Sequence, residues 1–220
     1  MSNVDHEEKT TSAIPIGRML RSDTTGFTFG CLLPEPEVPL FGDFVKAPAQ
    51  QGLTEIIGVI HNIVIEDDLF VRQLIAAPDL PDAYIQDQRR NRQIPIEVSV
   101  LSVGYSSGNN MMQGLPPQPP VTLDYIKRCS KNDMVAFTDR QDYLALILNS
   151  KETPVDELIV AALQRASRAR PIEDRALFLI QAGMRGTTFD GSSVKRTSKF
   201  LGRLRRPKSL PDLKRSRRPF

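Results

Sequence analysis

The chain has 220 residues, 40% of them hydrophobic and 25% charged, with a formal net charge of +3. That length holds one domain with a real core, or a small domain with an appendage. No apolar run approaches the roughly eighteen residues that span a bilayer, and the polar, acidic start MSNVDHEEKTTS lacks the basic-then-apolar order of a signal peptide, so a cytoplasmic protein with no membrane partner is expected.

Residues 1–13 are expected to be disordered. From 14 to 65 the chain reads as three or four short strands punctuated by Gly, Pro and Asp. Phe27, Phe29, Cys31 and Leu33 fall on one face of a strand and Thr28 and Gly30 on the other, the period of two that marks a half-buried strand. Residues 53–65 make a longer apolar run rich in β-branched side chains, with Gly58 in its middle, where a small barrel takes a bend or bulge. After Glu66, Asp67 and Asp68 the rhythm breaks, and 66–93 reads as an insertion with short helical turns stopped by Pro78. Alternation returns with Ile94, Ile96, Val98 and Val100 against Glu97 and Ser99, a strand that completes a barrel over 14–106. The Gly-, Asn- and Pro-rich stretch 107–120 reads as a linker.

A small α+β part is expected over 121–186. Residues 133–137 read as a short strand, and 140–148 as either strand or helix. Thr153 as N-cap, Pro154 at the first helical position, then Asp156 and Glu157 open a helix with Val155, Leu158, Ile159, Ala162 and Leu163 on one stripe. Pro171, Glu173 and Asp174 repeat that signature. They open a second helix with Ile172, Ala176, Leu179 and Ile180 on its apolar side and Gly183 or Gly186 as its stop. Two amphipathic helices in succession form a hairpin that must bury its stripe against the barrel or a partner.

The tail, 187–220, is expected to be disordered and basic. Eleven Lys and Arg lie in 191–220 against one acid, Asp212: Lys195, Arg196, Lys199, Arg203, Arg205, Arg206, Lys208, Lys214, Arg215, Arg217 and Arg218. The rest of the chain carries more acids than bases, so an acidic body ends in a cationic tail, a pattern suited to an anionic partner. Such a tail would bind DNA through counterion release, without sequence preference; the bland alternative is a solubilising end. Pro207, Pro211 and Pro219 break any continuous amphipathic helix that would lie on a membrane.

Catalytic patterns are thin. Cys31 and Cys129 stand far apart with no CxxC spacing, and Cys31 reads as a small buried hydrophobe. His6 and His61 have no second ligand at metal spacing, and Glu66, Asp67 and Asp68 read as a solvated turn rather than a cation site. No acid–base–nucleophile set and no cofactor motif stands out, so catalytic, cofactor and metal sites are all expected to be absent.

The strand stretch resembles the HAS-barrel, the small β-barrel at the front of HerA-type DNA-pumping ATPases, related to the barrel that crowns rotary ATP synthase subunits. The likeness rests on Ile16, Gly17 and Arg18 opening the first strand and Phe27, Thr28 and Phe29 in the second. Gly42, Asp43, Phe44 and Val45 precede the third, and Ile57, Gly58, Val59 and Ile60 lie in the fourth. A weaker echo follows at 96–103 and at Pro119, Pro120 and Val121, and about half the chain is covered. The matching positions Gly17, Arg18, Gly42, Asp43 and Gly58 are implied to be structural, with Gly42 and Asp43 at a sharp reversal.

The family's ATPases carry a phosphate-binding loop after the barrel, whereas this chain has no GxxxxGK[ST] and no Gly-Lys pair. The resemblance therefore implies a barrel without its motor. It would act as an assembly or adaptor module that self-associates, or meets a HerA-type ATPase or its nuclease, with DNA reached through the tail. The alternative is a direct nucleic-acid-binding protein that uses the barrel like an OB-fold.

Overall fold

The computed structural model describes residues 15–32, 37–65, 76, 81–84, 96–108, 110–151 and 153–189. Among the described residues seven strands come first: β1 (Pro15–Ser22), β2 (Gly26–Cys31), β3 (Phe44–Ala49), β4 (Thr54–Ile65), β5 (Ile96–Ser107), β6 (Asn110–Met112) and β7 (Tyr125–Arg128). After β7 the described residues form the helices α1 (Lys131–Thr138), α2 (Leu144–Leu148), α3 (Val155–Arg168) and α4 (Ile172–Phe189). The strands pair antiparallel in the order β2-β1-β7-β3-β4-β5, and a further β2–β5 pairing closes the ring. The result is a six-stranded barrel, from which β6 extends as a hairpin partner of β5.

The period of two sorts the strand side chains into two cores. Phe27, Phe29, Val45, Ala47, Ile56, Ile60, Val98 and Val100 share the barrel interior with Ile16, Met19 and Ile126. Their neighbours Phe44, Ile57, Val59 and Val103 point out of the ring and pack under the helices, with Phe137, Tyr143, Leu144, Leu158 and Leu163. The β3–β4–β5 side of the barrel is thus buried on both faces. That is why Ile56 to Ile60 reads as an unbroken apolar run rather than an alternating one. The two aromatic rings that meet Phe44, Phe137 and Tyr143, lie 6.3 and 6.0 Å from it in edge-on geometry.

Local chemistry explains the element ends. Between β1 and β2, Asp23 accepts from Thr25 N and Oγ1, both at 2.6 Å, and from Gly26 N at 2.9 Å, a side-chain-bonded turn that aims the two strands back along each other. These bonds, that from the Thr25 side chain foremost, hold the Asp23 carboxyl below its usual range. The α3 stripe is buried at Leu158, Ile159, Ala162 and Leu163, with Val155 half-buried against the same core.

Several expectations are corrected. The barrel does not end at 106: β7 lies beyond the Pro-rich stretch and bonds between β1 and β3, so residues 125–128 belong to the ring. Residues 133–137 are helical, because Ser130 and Asp133 form a capping box in which each side chain satisfies the other's backbone N–H, at 3.1 and 2.9 Å. Of the two readings of 140–148, the helix is present as α2. Pro154 rather than Thr153 is the N-cap of α3, and no side chain bonds to that helix end. Neither Gly183 nor Gly186 stops α4, which continues to Phe189. Most of the 66–93 insertion, the start of the chain and the tail from 190 onward lie outside the described residues.

Candidate functional site

Gly42 and Asp43 sit where the barrel meets the helices. Gly42 has φ +82°, the left-handed region that disfavours side chains. A Cβ there would also meet the Ala161 Cβ at 2.5 Å and the Ala161 carbonyl carbon at 2.9 Å, so α3 rests directly on the turn. The turn is bonded to β4 on both sides: Gly42 N donates to Ile60 O at 2.8 Å, and Ile60 N donates to Asp43 O at 3.0 Å. Asp43 closes the turn by accepting from Leu40 N at 2.9 Å. Its other oxygen, Oδ1, faces Arg165 Nε of α3 at 2.9 Å, while Arg128 Nε of β7 lies 3.9 Å from the Oδ2 that accepts from Leu40. One carboxylate thereby ties a barrel turn, a barrel strand and a helix.

A groove of about 670 Å³ opens beside this junction. Val38, Leu40 and Met134 give it an apolar floor over the buried Ile16 and Phe44, and Arg128, Lys131, Arg165 and Arg168 ring it with cations. Behind it, Lys46 bridges Glu55 at 3.1 Å and Asp133 at 3.3 Å. Burial alone would raise the Asp133 carboxyl, but the Ser130 hydrogen bonds and the Lys46 ammonium overcome it and hold the group below its usual value. Burial pushes the Cys129 thiol far up, which leaves it protonated and unreactive.

The helices are pinned by a buried cation. Arg170 Nη1 donates to Thr138 Oγ1 at 2.9 Å and to Ala166 O at 3.0 Å, and its guanidinium lies 3.8 Å from the Phe178 ring centre. This contact joins α1, α3 and α4, and it decides which side of α4 faces inward. Phe178 is 5% exposed and Ala182 2%, whereas Ile172 is 78% exposed, Leu177 58%, Ile180 54% and Met184 68%. Of the stripe expected to be buried, only Leu179 packs against the core, while Ile172, Ala176 and Ile180 face outward. The spacing of Ile172, Ile180 and Met184 at multiples of four, with Leu177 beside them, makes a continuous apolar row on the outer surface.

The other positions of the barrel pattern fall within the ring. Gly17 on β1 lies so close to the Phe29 ring that no Cβ fits. Gly58 sits at a register shift between β4 and β5, packed on Val100. Arg18 is exposed, stacks 3.9 Å from the Tyr125 ring centre, and donates to the Tyr125 hydroxyl and to Leu123 O, joining β1 to the loop before β7. The tail cations from Lys195 to Arg218 and the acids Glu66, Asp67 and Asp68 lie outside the described residues. Among the described residues no group of three or more His, Cys, Asp and Glu side chains could hold a metal ion, and no helix is long and apolar enough to cross a membrane.

Sequence reasoning missed the partners of Asp43 and the outward row of α4. Arg128 and Arg165 are far from Asp43 along the chain, and nothing local marks them. The row was visible as apolar periodicity, but α4 has two apolar sides and periodicity alone does not say which is packed. No family model matches the chain, and no curated protein matches it.

Proposed function

We propose that this chain is a stand-alone barrel of the HAS-barrel type that works by contact rather than by catalysis. As an assembly or adaptor module it associates with copies of itself, or with a HerA-type ATPase or its nuclease, in the cytoplasm. The observation that carries the reading is the α4 row. Four large apolar side chains, each more than half exposed, line one side of a helix whose other side packs against α2 and α3. Contiguous exposed apolar surface of this kind marks a contact face. The barrel reading is supported by the closed ring built from the segments that carry the family-like residues.

The tail cations add attraction to DNA, which brings the module to the site of DNA processing. Direct binding of bases by an OB-like surface has less support, because Phe27, Phe29 and Phe44 are buried and offer no platform for stacking. Deleting 191–220 and measuring DNA binding across a salt series tests the tail: affinity and salt slope both fall if the tail drives binding, and unchanged values would assign binding to the barrel. Native mass measurement of the chain, alone and with a HerA-type ATPase, tests the contact face. A complex is expected, and it disappears when Leu177 and Ile180 are replaced by Glu; a complex that survives both replacements would sink the assignment.

A further inference from the structure

We propose that the groove between the β7–α1 corner and the last turn of α3 docks an acidic peptide segment with apolar anchors, carried by a partner protein. No residue of α4 lines this groove, so the surface is separate from the outward row and does not depend on it.

The groove carries unbalanced positive charge. Local structure accounts for some of the four cations. Arg165 holds Asp43, and both Arg165 and Arg168 lie in the last turn of α3, where positive charge offsets the helix dipole. Neither reason reaches Lys131. It is the first residue of α1, at the positive end of that dipole, where a cation is disfavoured. Among the described residues no carboxylate pairs with Lys131 or Arg168. The two acids on the rim do not balance the four bases, since the Asp43 carboxylate is already taken by Arg165 and Leu40 N. Arg128 leans on the Glu37 carbonyl at 3.0 Å rather than on its carboxylate. A surplus of positive charge therefore faces the groove from two walls.

The floor of the groove is apolar. Val38, Leu40 and Met134 present hydrocarbon between the cations. A phosphodiester chain would satisfy the rim but leave that floor uncovered. A peptide alternating carboxylates with Leu or Phe meets both, with charge to the rim and apolar side chains to the floor. The groove volume of about 670 Å³ falls in the range that admits several such side chains.

The test is fluorescence anisotropy with a labelled peptide that alternates Glu with Leu and Phe, titrated with the full chain and with its Lys131→Glu, Arg168→Glu double variant. The tail is identical in both proteins, so the difference between them reads the groove. Binding is expected to weaken on the order of tenfold in the variant, and similarly for the wild type when each Glu of the peptide becomes Gln. Lys131 and Arg168 are exposed, so the melting temperature should stay close to that of the wild type; if it does not, K131Q with R168Q gives the same comparison. Equal affinity for wild type and variant would overturn the proposal. So would single-stranded DNA that displaces the peptide from the wild type but not from the variant, which would give the groove to nucleic acid.

Discussion

At the residue scale, Gly42 shows how one position holds two parts of the molecule together. It needs positive φ, and it needs the absence of a side chain because the backbone of α3 lies against it. Gly52 also has positive φ, at +85°, but nothing lies within 4 Å of where its Cβ would be. Gly42→Ala should therefore cost about 2–4 kcal/mol in urea unfolding, combining backbone strain with overpacking, against about 1 kcal/mol for Gly52→Ala. Equal costs would mean that α3 does not press on the turn.

Asp133 gives the residue scale a pH signature. Its carboxyl is held below its unfolded value, so the stability it contributes is present at neutral pH and is lost as pH falls through the folded-state value, below about 4. Asp133→Asn should be less stable than wild type at neutral pH, and the gap between the two urea midpoints should close on acidification. A gap that stays constant down to about pH 2 would show that Asp133 is not ionised in its bonds to Ser130 and Lys46.

Elements were legible where one periodicity ruled. The barrel strands could be read because Phe27 with Phe29, and Val98 with Val100, alternate against polar neighbours. In β7 only four residues are paired, too few for a period to emerge, and its place in the ring comes from partners on β1 and β3. Residues 133–137 combine Val and Phe, residue types that favour a strand. The overriding signal was the Ser130–Asp133 spacing, which caps a helix.

In the second helix of the hairpin the apolar stripe legible in the sequence faces outward at Ile172 and Ile180, and Phe178 and Ala182 face inward. Arg170 stacking on Phe178 selects the inner face, a contact between two elements that no periodicity encodes. Two residues of α4 only two positions apart should therefore respond differently. Phe178→Ala should cost about 3 kcal/mol or more by chemical denaturation. Ile180→Glu should change stability by no more than about 0.5 kcal/mol, because its side chain is more than half exposed. Comparable losses for both would mean that the outer side of α4 is packed within the monomer.

At the scale of the whole molecule, barrel and helices are one body rather than a barrel followed by a separate part. The outward faces of β3, β4 and β5 form the floor under the helices, and the Gly42–Asp43 turn joins the two. That arrangement was hidden from the sequence because every contact making it is long-range. The barrel itself was legible, and so was the hairpin. Which surface the hairpin leaves outside was not, and the account of function rests on that surface.

The most direct test is the native mass of the chain, alone and mixed with a HerA-type ATPase, for wild type and for Leu177→Glu with Ile180→Glu. The account predicts a mass above the 24.6 kDa of a single chain for the wild type in at least one of the two samples. It predicts a single-chain mass in both for the double variant. A wild type that stays at 24.6 kDa in both samples, or a complex that the double variant leaves intact, would contradict it.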